Sequence, residues 1–256
     1  MEFRSTVVFG VLVASLAVHS EGGPVNIRAW HHPCGHSVRA DTNTGKHASR
    51  HGPSKLLKVV KTQIGVANKY FKNEEKNIVT TYKQVGLLKE ELYRYDWLPQ
   101  RQLNWYKNKI QCLEKSAKVK NVLQVLHSSL QNFSATFEEL RKFNRPEIYP
   151  ENIARIRKGV IKGIAQHLTQ VLCEVEWALE SLNISIPDRV REDFFSTEDK
   201  WDRSPDATGS LVQDWGVISL YKKFLGEWNL IIGKVMKKGV CKNSESVGKR
   251  KKKQRQ

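Results

Sequence analysis

The sequence lacks the short signatures that mark most catalytic sites. It contains no G-x-S-x-G, no H-E-x-x-H, no phosphate-binding P-loop and no glycine-rich dinucleotide fingerprint. Carboxylates are scattered, mostly on polar helix faces, and the eight histidines lie chiefly between positions 19 and 51. No enzyme, cofactor or metal centre is expected from such a pattern. Cysteine is scarce: Cys34, Cys112, Cys173 and Cys241 are spaced too widely for a C-x-x-C zinc or redox motif. The stretch His31-His32-Pro33-Cys34-Gly35-His36 has no second ligand cluster to close a site, so it reads as a polar arm whose cysteine is oxidised. Beyond the first twenty residues no run is apolar enough to cross a bilayer, and no membrane insertion is expected.

What is present begins with a leader pattern. Residues Val7 to Val18 are uncharged and follow Arg4, with Ala17 and Ser20 as candidate cleavage positions. A run of about a dozen residues is too short for a stable membrane span and fits a secretory signal peptide over 1–20. Release into an oxidising compartment makes two disulfides the expected state of four cysteines. It also makes the sequons at Asn132 and Asn183 usable for glycosylation. The net charge is +17, from 43 Lys and Arg against 26 Asp and Glu. A secreted protein this basic is attracted to polyanions, with sulfated glycosaminoglycans or extracellular matrix as partners rather than nucleic acid.

Residues 21–53 show no periodicity and read as a flexible N-terminal arm. From there the chain carries four apolar stripes at helical spacing. Ser54 is the expected N-cap of a first helix over 55–83, whose stripe runs Leu57, Val60, Ile64, Ala67 and Phe71. The polar gap Asn73–Lys76 predicts a kink or exposed turn. Residues 86–101 are too irregular for a long helix and read as a connection. A second helix is predicted over 101–143, with a phase slip between the Leu103-Tyr106-Ile110-Leu113 stripe and the Val122-Leu126-Leu130-Phe133 stripe. Pro146 stops it, and Pro150 opens the third at a first position that needs no N–H. The third stripe, Ile153 to Leu182, is the cleanest and contains Gly159 and Gly163. A connection over 183–208 leads to the fourth helix, Ser210–Met236, which lacks proline and is apolar on more than one face. Residues 242–256 form a basic tail without an apolar core.

Loop lengths set the topology. The second and third helices are joined by a short link and must be antiparallel neighbours. The other two connections are long enough to run back along a helix, at about 3.3 Å per residue. The expectation is an all-α, up-up-down-down four-helix bundle over 54–241 with two long crossover loops. That topology puts all four cysteines in one half of the molecule. Cys112–Cys173 with Cys34–Cys241, and Cys34–Cys173 with Cys112–Cys241, both remain open. Each bridge closes a long loop and stabilises by about 2–4 kcal/mol.

A leader, long helices, two long connections, paired cysteines and sequons together resemble a long-chain four-helix cytokine. The segment Asp214-Trp-Gly-Val-Ile-Ser-Leu-Tyr-Lys-Lys-Phe-Leu-Gly-Glu-Trp228, with its basic surroundings and basic tail, is most similar to the insect Unpaired ligands, themselves similar to leptin and the interleukin-six class. The resemblance implies a secreted ligand for a cell-surface, class I cytokine-type receptor of the Domeless kind that activates JAK/STAT signalling. It also implies receptor patches on exposed faces of the first and third helices and at the start of the fourth with the first connection. Candidate contact residues are Trp97, Trp201 and Trp215, in or beside the connections, and Arg155, Arg157 and Lys158 on the third helix. The surplus apolar face of Val217, Leu220 and Phe224 has two readings: packing under the connections, or facing a receptor. Lys249, Arg250, Lys251, Lys252, Lys253 and Arg255 have the charge density of a heparin-binding patch. The competing class is a secreted heparan-sulfate-binding or carrier protein on a helical scaffold, without a signalling receptor.

Overall fold

The computed structural model describes residues 30–35, 52–87, 95–143, 149–191 and 201–237. The leader, Cys241, the basic tail and most of the N-terminal arm lie outside them. Six helices are described: α1 (Pro53–Asn73), α2 (Glu75–Tyr82), α3 (Gln102–Trp105), α4 (Lys115–Lys142), α5 (Glu151–Ser181) and α6 (Ala207–Met236). Among the described residues the architecture is an all-helical bundle, and no helix is long and apolar enough to cross a membrane.

Helix ends follow local chemistry. Pro53 is the first residue of α1, where its missing N–H costs nothing, and Gly52 rather than Ser54 takes the cap position. At Glu74 the chain bends, but Glu74 N–H still donates to Tyr70 O and its carbonyl accepts from Ile78 (both 2.9 Å). The kink expected at the polar gap is therefore a near-continuous junction of α1 and α2. The predicted second helix is two pieces. Gln102–Trp105 runs into a π-helical turn, Tyr106–Ile110, closed by Gln111 N–H to Tyr106 O at 2.8 Å. Gln111–Glu114 are exposed, and α4 starts afresh at Lys115. The reason is the phase slip itself. One straight helix would bury the Tyr106–Ile110 stripe or the Val122–Leu126 stripe; a wider turn and a break bury both.

α5 is capped by Pro150 and stopped at Asn183, whose φ of 53° is the left-handed conformation. Ile184 N–H returns to Leu179 O (2.9 Å) and Asn183 N–H to Glu180 O (3.0 Å), a paired closure of the last turn that favours Gly or Asn at this position. α6 begins three residues before its expected start. Asp206 accepts a hydrogen bond from Gly209 N–H at 2.6 Å and serves as the N-cap.

The long helices pack in a ring, α5 against α1 and α4, and α6 against α1 and α4. Residue pairs give their directions. Gln63 meets Gln170 (3.0 Å) and Tyr70 meets Val160 (3.3 Å), so α1 and α5 run oppositely. Phe71 lies 6.1 Å from Tyr221, and Tyr82 bonds Asp214, so the α1–α2 rod also opposes α6. His127 meets Glu176 while Arg157 reaches Leu140 O, which opposes α4 and α5. Phe137 packs on Tyr221 and Phe133 on Phe224, which opposes α4 and α6.

The stripes meet in one core. Its centre is aromatic: Phe133, Phe137, Tyr221, Phe224 and Trp228 are each at most 2% exposed, with ring centroids 5.0–6.2 Å apart. Contacts at this spacing add about 0.5–1.5 kcal/mol per pair beyond burial. Val217, Leu220 and Phe224 are 0%, 5% and 2% exposed. The surplus apolar face of α6 is therefore core, and the receptor-facing reading of it is wrong. α6 is apolar on more than one side because it packs on α1, α3 and α4.

Candidate functional site

Two buried polar clusters hold the helices of the bundle to one another. In the first, Asp214 on α6 is fully buried and accepts from Arg157 Nε (2.5 Å), Arg157 Nη2 (2.8 Å) and Tyr82 Oη (3.1 Å). Arg157 also donates to Leu140 O (3.1 Å) and Phe143 O (3.0 Å), the unsatisfied carbonyls at the end of α4. Burial pushes the Asp214 carboxyl up, against the pull of Arg157 and the Tyr82 hydroxyl. Burial opposes the Arg157 charge as well, but Asp214 outweighs it and holds the guanidinium above its ordinary value. Burial, together with Asp214, pushes the Tyr82 phenol well up. Arg157 is 3% exposed. Its expected place on the solvated face of the third helix is corrected: it sits at the edge of that face and turns inward to a buried acid that periodicity does not reveal.

In the second cluster, His127 Nε2 lies 3.0 Å from Glu176 Oε1, both on long helices and both buried. Gln131 beside them donates to Trp30 O (3.3 Å) and accepts from Val190 N–H (2.8 Å). One amide thus ties the N-terminal segment and the segment after α5 to α4. Trp30 is 3% exposed and Cys34 is bonded to Cys173 (Cα–Cα 5.0 Å), so residues 30–35 of the expected flexible arm are docked on the bundle. The bridge selects the pairing of arm to α5 and overturns Cys112–Cys173. Cys112 is disulfide-bonded too, to a partner outside the described residues. With its sulfur oxidised, Cys34 supplies no metal-binding thiolate, and no metal-binding group of three or more side chains occurs among the described residues.

The two connections meet over α4. Tyr95 and Trp97 from the first meet at 4.8 Å with their rings tilted by 36°, and Trp201 from the second lies 5.6 and 5.8 Å from them and 6.0 Å from Phe143. Trp97 Nε1 donates to Thr136 Oγ1 (3.4 Å), and Asn132 Nδ2 donates to Trp97 O (3.1 Å). Trp201 is buried and Trp97 half-buried, so these two candidates are brought together as a seam between loops. Trp215 stands apart from them, half-buried against Tyr82 (6.1 Å) and Gly86. Arg155 and Lys158 are exposed on α5. The basic-tail candidates lie outside the described residues.

Sequence reasoning missed Trp177. It is 41% exposed on α5, next to buried Glu176 and Ala178 and off the Val171-Val175-Ala178 stripe. That off-stripe position is the signal that finds it, since it puts a large aromatic on the outer face of the cleanest helix. Val66 on α1 is 40% exposed on the helix that packs beside α5. The arrangement offers rigid, basic and aromatic helix faces suited to binding a macromolecule.

The Unpaired protein family matches residues 18–200 of the chain. No curated protein and no solved structure matches it.

Proposed function

The chain belongs to the Unpaired family, and on that premise we propose that it is a secreted cytokine. In this reading it engages a cell-surface, class I cytokine-type receptor of the Domeless kind and activates JAK/STAT signalling. The observation that carries the proposal is the family match over residues 18–200 of an all-helical bundle. The opposed helix pairs support an up-up-down-down bundle: α1 and α4 share one direction and α5 and α6 the other, which requires two long crossovers. The domain division proposed with it is a leader at 1–20, an arm at 21–53, the bundle at 54–241 and a basic tail at 242–256.

The exposed side of α1 and α5 is the proposed receptor face. It presents Trp177 near the end of α5 and Arg155 and Lys158 near its start, and exposed Trp and Arg side chains commonly anchor interfaces. The net charge of +17 supports retention on sulfated glycosaminoglycans through Lys249–Lys253 and Arg255. The same charge is the ground for the competing class, a polyanion-binding carrier without a receptor. Purified protein on cells bearing the receptor separates the two. STAT phosphorylation at nanomolar dose is the expected result, reduced by Trp177→Ala. Absence of any response across receptors removes the cytokine reading.

A further inference from the structure

The end of α4 and the start of α5 enclose a half-open cleft of about 210 Å³ lined by Glu138, Arg141, Lys142, Arg157, Lys158, Ile161 and Lys162. Five of its seven lining residues are cations, and their pairing decides what the cleft can hold. Arg141 is matched by Glu138 (2.9 Å) and Lys142 by Glu139 (2.5 Å), each pair within α4. Arg157 is matched by Asp214. Lys158 and Lys162 have no carboxylate partner among the described residues. They are four apart on α5, so they project from the same face one turn apart and repel each other, at a cost of a few tenths of a kcal/mol. Arg141 and Lys142 have a structural reason to be there, because cations favour the last turn of a helix. Lys158 and Lys162, in the third and fourth turns of α5, have none.

We propose that this cleft binds a sulfate group of a sulfated oligosaccharide, between Lys158 and Lys162 on one side and the Arg141–Lys142 turn on the other. Ile161 lines the cleft but is only 2% exposed, so the apolar surface open to a ring comes from the aliphatic stems of the lining lysines and arginines above it. A sugar ring carrying a sulfate ester needs both surfaces, cations for the ester and an apolar patch for its C–H face. Inorganic phosphate uses only the first. The open side of the cleft lets a polymer enter and leave. The site is separate from the basic tail. The secreted reading is used only to choose a glycan as the source of the anion, and loss of a STAT response would leave the site untouched.

The test uses the full chain and a sulfated heparin tetrasaccharide in titration calorimetry. Lys158→Gln with Lys162→Gln should weaken binding on the order of tenfold, from two lost charge contacts. Lys234→Gln with Lys237→Gln removes the same charge from exposed positions at the other end of the bundle and should leave affinity essentially unchanged. Equal losses in both variants, or no loss in the first, would overturn the site. Inorganic phosphate and inositol hexakisphosphate are the comparison ligands, expected to bind more weakly because they gain only the cation contacts. A tighter, pocket-dependent phosphate ligand would overturn the sulfated-sugar assignment. Because all four lysines are exposed, folding should be retained, and a far-UV spectrum checks it.

Discussion

Arg157 on α5 and Asp214 on α6 form a two-pronged ion pair, at 2.5 and 2.8 Å, between the two long helices that face each other across the ring. The same guanidinium closes the end of α4, and the same carboxylate receives Tyr82 from α2. Every rod of the bundle therefore ends on one buried pair.

That pair should be worth most when it is half broken. Asp214→Ala leaves a buried, uncompensated guanidinium and should cost about 3–5 kcal/mol. Arg157→Met with Asp214→Leu removes both charges and should recover most of the loss. What remains is about 1–3 kcal/mol from the orphaned Tyr82 hydroxyl and α4 carbonyls. Urea denaturation of Arg157→Met, Asp214→Leu and the double variant measures the coupling. Additive losses would mean that the two residues act independently.

Two glycines four residues apart on α5 should respond to alanine with opposite signs. A Cβ on Gly163 would collide with the Tyr70 hydroxyl and ring, whereas one on Gly159 meets nothing within 4 Å. Gly163→Ala must displace Tyr70 from Val160 O (3.3 Å) and from the His167 ring (4.9 Å), an overpacking cost of about 1–3 kcal/mol. Gly159→Ala should stabilise by up to about 1 kcal/mol, the helix-propensity gain alone. Thermal melts of both variants check this, and equal shifts would place Gly163 outside the α1–α5 contact.

How much of this was legible in the residues depends on what kind of force fixes each part. The four stripes are a repeating signal, and the Ile153–Leu182 helix appears almost as read. The polar gap at Asn73–Lys76 was equally readable as a junction, and α4 ends at Lys142, next to the expected stop, whose Pro146 lies outside the described residues. The break at Gln111–Glu114 left only a phase slip, which a bend explains as well as a π turn does. Arg157 was misplaced because its partner, Asp214, is 57 residues away and no local pattern links them. Val217, Leu220 and Phe224 were ambiguous for a related reason. The number of neighbours around α6 is a property of topology, and periodicity reports only that an apolar face exists.

The disulfides make a further prediction. Cys34–Cys173 closes a loop with a sequence separation of 139, and Cys112 is also oxidised. By count, the partner expected for Cys112 is Cys241. Peptide mapping without reduction should recover both pairs, and a Cys112–Cys173 peptide would contradict the fold. Cys34→Ser with Cys173→Ser should lower stability by about 2–5 kcal/mol and release the 30–35 segment, seen as new Trp30 exposure in quenching.

The sequons should differ in occupancy. Asn183 is exposed at the end of α5, while Asn132 is half-buried with its amide nitrogen bonded to Trp97 O under the loop seam. A glycan on Asn132 would have to lift that segment. Asn183→Gln should therefore remove the glycan mass from protein expressed in a glycosylating host, and Asn132→Gln should leave it unchanged. The reverse result by intact-mass measurement would place the Trp97 loop away from α4.

Alkaline pH should unfold the bundle through its tyrosines. Burial, the largest cause, and then Glu74 push the Tyr70 phenol up to about 12, from an ordinary value of 10.0. Burial likewise raises Tyr82, Tyr95, Tyr106, Tyr149 and Tyr221. A group whose folded value lies above its unfolded value keeps its full stabilisation below the unfolded value. It loses that stabilisation as the pH rises toward the folded one. Stability should thus be flat with respect to these groups below pH 10 and fall between pH 10 and 12. Most phenols should ionise only as the helices melt. Phenolate absorbance and helical ellipticity followed in one titration should change together, with a steeper slope than independent tyrosines give. Tyr70→Phe should shift the transition to higher pH, because it removes one proton that only the unfolded chain releases. If the absorbance instead rises near pH 10 while ellipticity holds, these rings are in contact with water and the aromatic centre of the core is wrongly placed.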